Sequence, residues 1–354
     1  MKRALIVAGV AAATVLAAGC SSSGSSGSSS TPAAAAAAST PVTLRLGFLA
    51  NITHAPALVG IREGFFRKEL GSNVSLQLTP FSSGTQESTA LLAGQLDAAY
   101  AGPNPAIKAW QTSGGKLIKV ISGAASAGAE LVVKSGITSA GQLKGQSLAT
   151  PSLGNTQDVA LRYWLKQHGL TATATGGGDV GVKPVSPNSA AVLEFKSGQI
   201  AGGWEPAPYD IEMVQDGGHA LVNEASLWPG GQFVTTNLVV TQAFLAAHPS
   251  SVNGLLKAQI DANNFIHQHL AAAEAAANAE LTSALGKGLK SSVLSAAFQQ
   301  ITFTNDPIAS SLAADAQHAV AVGLLSPVSN ISALYDLGPL NKLLAAAGEP
   351  QVSP

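Results

Sequence analysis

Two kinds of hydrophobic pattern alternate along the chain from residue 43 onward. Short segments rich in Leu and β-branched residues are typical of buried strands, and apolar residues recurring every three or four positions between them are typical of helices. Gly, Pro and Ser mark the turns. In chain order, the pattern predicts strand 43–48, helix 56–68, strand 74–80, helix 85–93, strand 98–100, helix 105–112 and strand 117–122.

The pattern recurs at a fixed offset of 104 residues. The segments that coincide without a gap include Pro80-Phe81-Ser82 with Pro184-Val185-Ser186, Gly94-Gln95-Leu96 with Gly198-Gln199-Ile200, and Tyr100 with Trp204. The second copy predicts strand 147–150, helix 156–168, strand 180–185, helix 190–196, strand 202–204 and helix 207–215. Because alternating strands and helices form helix-covered sheets, the repeat predicts two α/β lobes with a cleft between them.

Beyond Thr241 the chain is mainly helical and has no copy in the first half. Helices are predicted over 244–247, 253–270, 271–285, 291–299 and 308–325, with a strand-like segment at 300–304. We expect these helices to pack on lobe 1, so the chain must cross between the lobes twice, near 125–129 and 234–237. The predicted organisation is lobe 1 over 42–125 plus 238–354 and lobe 2 over 126–237.

The N-terminal segment has the pattern of an export signal. Lys2 and Arg3 precede an uncharged run over 4–18, which is shorter than the roughly 20 apolar residues that span a bilayer. The segment Leu16-Ala17-Ala18-Gly19-Cys20 resembles a bacterial lipobox, although Ala17 stands where Leu is commonest. We therefore predict a signal peptide over 1–19 and a lipid on Cys20, which would anchor the exported protein to the outer face of the cell membrane. The alternative is a general secretion signal with an unused thiol.

Residues 20–41 consist almost entirely of Ser, Gly, Ala, Thr and Pro. Such a composition buries too little apolar surface to offset the conformational entropy of the chain. The segment is therefore predicted to be a disordered linker between the lipid anchor and the folded body.

The remaining composition argues against several classes of protein. The chain is 46% hydrophobic and 11% charged, with a formal net charge of -1, so a nucleic-acid partner is not expected. His267 and His269 face different sides of a predicted helix and make a poor metal pair. No Ser-His-Asp or Gly-x-Ser-x-Gly arrangement stands out. We expect no cofactor, no metal and no catalytic activity.

Candidate binding residues follow the predicted strands. In open α/β sheets ligands bind beyond the carboxyl ends of the strands, and here these loops carry hydroxyl, amide and glycine residues at helix starts. Unpaired N–H groups and the helix dipole make such starts suitable for anions, although the same residues also serve as ordinary N-caps. The candidates are Asn51, Thr53, His54, Ser82, Ser83, Gly84, Thr85, Gly102, Asn104 and Ser126 in lobe 1, and Asn155, Thr156, Gln157, Trp204 and Glu205 in lobe 2.

The charged residues in these loops narrow the choice of ligand. They contain no Lys or Arg, which favours a compact anion with spread charge, such as a sulfonate. Glu205 is the one carboxylate among the candidates. It could pair with the amine of a zwitterionic ligand beside Trp204, or it could simply interact with a helix dipole before Pro206.

Several motifs together resemble one family over residues 42–347. They are Phe65-Phe66 after Arg62-Glu63-Gly64, Pro80-Phe81-Ser82-Ser83-Gly84, Ala93-Gly94-Gln95-Leu96-Asp97, Gly102-Pro103, Gly154-Asn155-Thr156-Gln157, Trp204-Glu205-Pro206 and Leu334-Tyr335-Asp336-Leu337. The set resembles the nitrate/sulfonate/taurine-binding family of ABC-transporter substrate-binding proteins. Asn104 departs from the family, since many sulfonate binders carry a small apolar residue there.

The resemblance implies a type II periplasmic-binding-protein fold, an α/β fold of two lobes. Each lobe would be a helix-flanked mixed sheet, with the C-terminal helical part packed on lobe 1. It also implies delivery of a small anionic or zwitterionic ligand to an ABC permease and ATPase. We expect the lipid-anchored protein to be a monomer. An aliphatic sulfonate or taurine is the expected ligand. Nitrate, bicarbonate or a thiamine-precursor pyrimidine framed by Trp204, Tyr100 and Glu205 are alternatives, and an enzyme on the same fold is a further one.

Overall fold

The computed structural model describes residues 41–354. The predicted signal peptide, Cys20 and the predicted linker up to residue 40 lie outside the described residues. The strands are β1 Val42–Leu49, β2 Val74–Phe81, β3 Ala98–Ala101, β4 Ile118–Ala127, β5 Ala129–Lys134, β6 Ser147–Thr150, β7 Gly181–Pro184, β8 Gly202–Pro206, β9 Gly218–Asn223, β10 Val234–Thr241 and β11 Ile301–Phe303.

Helices follow most of the strands and dominate the C-terminal third. They are α1 Ala55–Arg62, α2 Phe65–Leu70, α3 Gly84–Leu92, α4 Pro103–Thr112, α5 Thr156–Gln167, α6 Asn188–Ser197, α7 Tyr209–Gln215, α8 Gln242–Ala247, α9 Pro249–Gln268, α10 Leu270–Leu285, α11 Ser291–Gln300, α12 Ala309–Ala321 and α13 Gly338–Ala346. Across residues 41–354, no helix combines the length and the apolar character needed to cross a bilayer.

The strands form two mixed sheets with the same internal order. The first sheet runs β11-β4-β10-β3-β1-β2 and the second runs β7-β6-β8-β5-β9. In each sheet three adjacent strands pair in parallel, and a strand that arrives from the other half of the molecule, β10 or β5, inserts antiparallel to both of its neighbours. The match of β2-β1-β3-β10-β4 with β7-β6-β8-β5-β9 confirms the duplicated architecture and the predicted fold class.

The chain crosses between the sheets at two places. It leaves the first sheet at Ala127 and enters the second at Ala129, within the predicted crossing. It returns through 224–233. The crossing predicted at 234–237 is wrong, because these residues already belong to β10 and pair with β4 in the first sheet. We call the part built on the first sheet lobe 1 and the part built on the second sheet lobe 2. That each moves as a separate domain stays a prediction.

One predicted helix is divided into two helices in the structure. The segment expected to form a helix over 56–68 breaks between α1 and α2, because Gly64 adopts a left-handed conformation with φ 77°. Glycine tolerates this conformation since it has no Cβ. The break leaves Phe66 free to turn into the core, where its ring meets Tyr100 edge-on at a centroid distance of 6.4 Å.

The lobes have separate apolar cores. The first sheet is buried by α1, α2, α9, α10 and other helices of lobe 1 in one large cluster. The second sheet has one cluster on each face, with Trp164 and Trp204 on one face and Phe195 and Met213 on the other. The C-terminal helices pack mainly on lobe 1, as predicted. However, α12 contacts α5 of lobe 2 as well as α4.

A buried carboxyl group on α3 makes the stability of lobe 1 depend on pH. Glu87 is fully buried, and neither of its carboxyl oxygens has a hydrogen-bond partner. Burial raises the pKa of Glu87 well above its ordinary value because the charged form is poorly solvated there. The folded state therefore holds a proton that the unfolded chain releases, and this contribution to stability is lost as pH rises through the folded pKa.

We predict that Glu87→Gln, which keeps the side-chain size but removes the titration, gains stability relative to the wild type as pH rises from 5 to 8. The gain should approach about 1.4 kcal/mol per pH unit at most. Urea unfolding at several pH values measures it. Glu63→Gln, at an exposed glutamate, is the matched control and should show no such trend. An unchanged difference between Glu87→Gln and the wild type at pH 5 and pH 8 would contradict the assignment.

Candidate ligand-binding cleft

A small cavity lies between the lobes, where the carboxyl ends of several strands face helix starts. The centre of a water molecule can occupy about 30 Å³ of this cavity, so it has room for about two water molecules. The walls are Leu49, Asn51, Thr53, His54, Ser83, Gly84, Gly102, Pro105, Pro151, Asn155, Thr156, Gln157, Asn188, Pro206 and Thr235. Nine of the fifteen candidate residues therefore come together here. We call this space the cleft cavity.

The cleft cavity is built from pairs of residues related by the 104-residue repeat. Asn51 corresponds to Asn155, Thr53 to Gln157, Gly84 to Asn188, and Gly102 to Pro206, and all eight line the cavity. Each pair places one residue from each lobe at the equivalent strand end. The duplicated architecture thus directs equivalent loops of the two lobes toward one point.

The start of α3 contributes backbone donors from lobe 1. Ser83 is the N-cap, and its hydroxyl accepts the Gln86 N–H at 3.4 Å. Gly84, the first residue of α3, has no preceding helical turn to accept its N–H. Gly84 lets Pro105 pack closely against this helix start, because a Cβ here would lie 2.7 Å from the Pro105 ring.

The start of α5 contributes donors from lobe 2. The side-chain oxygen of Asn155 accepts the Asp158 N–H at 2.9 Å, and its amide group donates to Gln157 Oε1 at 3.0 Å. The second bond leaves the amide NH₂ of Gln157 as a donor. The N–H groups of Thr156 and Gln157 head the helix without an intrahelical acceptor.

Asp158 fixes the loop that carries these groups, although the sequence did not identify it. Its carboxylate accepts bonds from the Thr150 hydroxyl at 2.9 Å and the Gly154 N–H at 2.8 Å. Arg162, one turn later, forms a buried ion pair with it at 3.0 Å. Because Arg162 balances its charge, the carboxylate holds the loop with little net repulsion of an anion.

His54 is a neutral donor. Its Nδ1 accepts the backbone N–H of Leu49 at 3.2 Å, so the single proton of the neutral ring lies on Nε2. Complete burial lowers the pKa of His54 to about 3. The ring therefore carries no charge at neutral pH, and the cleft cavity contains no cationic side chain.

The third expected helix start, that of α4, offers fewer backbone N–H donors than the sequence predicted. Helix α4 begins with Pro103, and Pro105 follows two residues later; neither has an N–H to offer. Asn104 does not line the cleft cavity. It is buried, and its amide donates to the backbone oxygen of Asp315 at 3.3 Å. Gly102 is the contribution of this loop.

Other candidates lie beside the cleft cavity or in the protein interior. Ser82 lines an adjoining cavity. The hydroxyl of Thr85 meets that of Ser152 across the lobes at 2.9 Å, while Ser126 accepts the Phe233 N–H at 3.3 Å. Trp204 is fully buried in lobe 2. These residues support or close the cleft without lining the cleft cavity.

Glu205 is also not brought to the cleft cavity. It follows Trp204 on β8, and consecutive strand residues point to opposite faces of the sheet. The side chain is fully buried, and both carboxyl oxygens lack a partner. Burial, and secondarily the nearby Asp210, raise the pKa of Glu205 well above its ordinary value. The walls of the cleft cavity thus include no carboxylate to pair with a ligand amine.

Several wall residues were missed by the sequence. Asn188 could have been found, because the repeat relates it to Gly84. Pro206 likewise corresponds to Gly102. Thr235 lies on β10, and no sequence motif marked it as a wall residue, because its position at the cleft depends on the return of the chain to the first sheet. Its hydroxyl donates to the backbone oxygen of Ala127, where the chain leaves that sheet.

Contacts across the rim hold the lobes together in this conformation. The Ser186 hydroxyl donates to the Ser82 backbone oxygen at 3.2 Å, another pair related by the repeat. Near the crossing, the Tyr209 hydroxyl donates to the backbone oxygen of Ala50 at 3.2 Å. The small volume of the cleft cavity reflects this close approach.

Comparison with known proteins identifies the family. The sequence model of the NMT1-like family matches residues 37–280. The chain belongs to the NMT1-like family. This match confirms the resemblance inferred from the motifs. A curated relative, the bicarbonate transport ATP-binding protein CmpC of Synechocystis sp., is 27% identical over 245 residues, covering 62% of this chain and 34% of the relative. The aligned part spans about a third of that relative's length.

Solved structures share the fold of this NMT1-like protein. The alkanesulfonate-binding protein SsuA from Xanthomonas axonopodis pv. citri, bound to MOPS, has a TM-score of 0.70 and 18% identity, covering 85% of this chain and 100% of that chain. The periplasmic nitrate-binding protein NrtA from Synechocystis PCC 6803 has a TM-score of 0.71 and 16% identity, covering 87% and 90%. At these identities the likeness establishes the fold.

Gly102 permits the close approach of the two lobes in this NMT1-like protein. A Cβ at this position would lie 2.7 Å from Thr156 Oγ1 of the opposite lobe. Since φ is -63°, alanine strains nothing within lobe 1. We predict that Gly102→Ala weakens ligand binding about fivefold to a hundredfold, because overpacking costs about 1–3 kcal/mol in the closed state. Calorimetric titration measures the change.

The control is Gly141→Ala, where an added Cβ meets no atom within 4 Å. It should bind ligand as the wild type does, and both variants should unfold at nearly the same urea concentration as the wild type. Wild-type affinity in Gly102→Ala would show that binding does not require this close approach.

Proposed function

We propose that this protein is the extracytoplasmic substrate-binding component of an ABC importer and that it captures a small organosulfonate, an aliphatic sulfonate or taurine, between its lobes. The observation that carries the proposal is the cleft cavity itself. Helix starts and hydroxyl or amide side chains from both lobes converge on it, and its walls contain no Lys or Arg. Such a site recognises an oxyanion by hydrogen bonds and helix dipoles.

The available donors suffice for useful affinity. Micromolar binding needs about 8 kcal/mol. A helix start supplies about 0.3–1 kcal/mol, or about 2 kcal/mol when partly buried, and a hydrogen bond to a charged group supplies about 1.5–3 kcal/mol. The starts of α3, α5 and α6, together with the Thr156 hydroxyl and the Gln157 amide group, can reach this sum without a cationic side chain.

An adjoining cavity favours a ligand with an organic tail. It shares the walls Leu49, Asn51 and Asn188 with the cleft cavity, and about 120 Å³ of it is open to the centre of a water molecule. Its other walls are largely apolar and include Phe81, Tyr209 and Leu285. A sulfonate head in the cleft cavity would place its alkyl group here. This arrangement supports an organosulfonate over a bare inorganic anion.

Bicarbonate or nitrate is the second candidate. The cleft cavity alone matches a three-oxygen anion in size, and the curated relative carries bicarbonate transport in its name. A pyrimidine framed by Trp204 and Tyr100 has no such support. Both rings are fully buried away from the cleft cavity, and the Tyr100 hydroxyl donates to Gln259 at 2.6 Å.

The remaining parts of the proposal concern location and partners. The lipid on Cys20 would hold the protein at the outer face of the cell membrane. The monomer, with ligand bound between its closed lobes, would dock on an ABC permease coupled to its ATPase. The export signal in the sequence and the relative's name as a transport ATP-binding protein support these assignments. We assign no catalytic activity, cofactor or metal to this protein.

Ligand titrations test the proposed substrate. We expect ethanesulfonate to bind more tightly than nitrate or bicarbonate, because only the sulfonate also buries an alkyl group in the adjoining cavity. Taurine should gain no advantage over ethanesulfonate, since no carboxylate lines either cavity. Isothermal titration calorimetry with ethanesulfonate, taurine, nitrate and bicarbonate decides this. Tighter binding of nitrate or bicarbonate would contradict the organosulfonate assignment and favour the inorganic anion. If none of the four compounds binds, the proposed oxyanion site is wrong.

Thr156 provides the sharpest test of where the anion lies. Thr156→Val keeps the side-chain volume and removes the hydroxyl at the start of α5. We predict a loss of ethanesulfonate affinity of about tenfold to a hundredfold, the equivalent of a lost hydrogen bond of about 1.5–3 kcal/mol to a charged group. The same substitution at Thr43, exposed on β1, is the control. Equal affinities in the two variants would move the anion away from α5.

A further inference from the structure

A second cavity lies outside the cleft and shares none of its walls. About 330 Å³ of it is open to the centre of a water molecule. It is formed by α5, the turn Glu224–Leu227 with Trp228, and α12. The walls are Ala160, Tyr163, Trp164, Gln167, His168, Glu224, Leu227, Trp228, Asp315 and His318. We call it the aromatic cavity.

Aromatic rings cover much of this surface. Tyr163 on α5 stacks on His318 of α12, with ring centroids 3.7 Å apart and planes 14° apart. Trp228 lies 5.5 Å from the same histidine, and Trp164 lies 4.1 Å from His168. Burial lowers the pKa of His318, so this ring is neutral. Electron-rich aromatic faces attract cations, most strongly when the site excludes water.

Two buried acidic groups complete the walls. Glu224 and Asp315 are 1% and 2% exposed. The Trp204 indole donates to Glu224 Oε2 at 2.6 Å, but Oε1 has no partner, and neither has Asp315 Oδ2. Burial raises the pKa of Glu224 to about 7 against the lowering effects of the Trp204 and Trp228 indoles, and burial together with Glu224 raises the pKa of Asp315. Neither Lys nor Arg lines the aromatic cavity.

This combination is costly without a positively charged partner. A buried carboxyl oxygen that has lost water and gained no hydrogen bond destabilises the fold. A cation between the two carboxyl groups would pair with them, and the surrounding rings would interact with its charge. An anion would meet the opposite conditions, because the acidic oxygens and the aromatic faces both repel it.

We propose that the aromatic cavity binds a small organic cation, a protonated amine or a methylated ammonium group. The charge lies between the carboxyl groups of Glu224 and Asp315 and the rings of Trp228, Tyr163 and His318. The volume accommodates a group of several heavy atoms, and its apolar walls suit methyl or methylene groups better than a hydrated metal ion. The site is separate from the anion site and does not rest on the proposed function.

The experiment uses the full chain with tetramethylammonium chloride as the probe. Sodium chloride at equal ionic strength is the salt control, and tert-butanol is a neutral compound of similar shape. We expect tetramethylammonium to bind saturably at one site and to change the tryptophan fluorescence, because Trp164 and Trp228 line the cavity. Neither control should do so. Failure to saturate, or equal binding of tert-butanol, would overturn the proposal.

Variants locate the cation. Asp315→Asn keeps the shape but removes the charge, and Trp228→Leu removes a ring; each should weaken tetramethylammonium binding at least tenfold. Asp306→Asn, at an exposed aspartate, is the matched control and should bind as the wild type. Unchanged binding in both Asp315→Asn and Trp228→Leu would place the cation elsewhere and refute the assignment.

A third variant covers the case in which buried substitutions prevent folding. Leu227 is 50% exposed and lines the aromatic cavity, so Leu227→Lys should fold and place a competing positive charge beside it. It should abolish tetramethylammonium binding and leave ethanesulfonate binding at the cleft unchanged. Wild-type tetramethylammonium affinity in Leu227→Lys would contradict the proposal, whatever the cleft binds.

Discussion

The backbone N–H groups at helix starts are the constraint on which the site depends. The first turn of a helix leaves donors without intrahelical acceptors, and these must be satisfied by caps, water or a ligand. In this protein α3 and α5 satisfy part of the need with Ser83 and Asn155 and turn the remaining groups toward the cleft cavity. The proposed oxyanion would be held there by neutral dipoles, and no ion pair would retain it on release.

The ionisable groups are also placed so that the cleft cavity depends on neutral dipoles rather than on charged side chains. His54 stays neutral through burial and a hydrogen bond to its Nδ1, and Asp158 is balanced by Arg162. Five acidic groups that are at most 2% exposed lie outside the walls of the cleft cavity, and burial raises the pKa of each: Glu87, Glu205, Asp210, Glu224 and Asp315. The raised pKa values favour the protonated, uncharged forms, which lowers the negative charge close to the cleft cavity. Two of them, Glu224 and Asp315, face the aromatic cavity, where a bound cation would instead favour their ionised forms.

Helix α5 joins the two regions. Its first residues line the cleft cavity, while Ala160, Tyr163 and Trp164, one and two turns later, line the aromatic cavity. The opposite wall of the aromatic cavity is α12, which belongs to the C-terminal part and packs on both α4 and α5. The C-terminal helices therefore do more than cover lobe 1. They also meet lobe 2 beside the cleft.

The sequence by itself determined the elements and their duplication. The alternation of strand and helix patterns, and the offset of 104 residues, predicted the two sheets and the loops at their carboxyl ends, because hydrophobic period and turn residues are local properties. The same information identified Ser83, Asn155 and Thr156 as residues at helix starts, which is where the structure has them.

Tertiary structure decided which of these residues line the cleft cavity. Glu205 and Pro206 are neighbours in the chain, yet only Pro206 lines the cleft cavity. Asn104 is drawn to Asp315, 211 residues away, and Thr235 reaches the cleft because β10 returns to the first sheet. The aromatic cavity likewise joins α5 to α12. Such contacts depend on how distant segments pack, and a local pattern carries no information about a partner more than a hundred residues away.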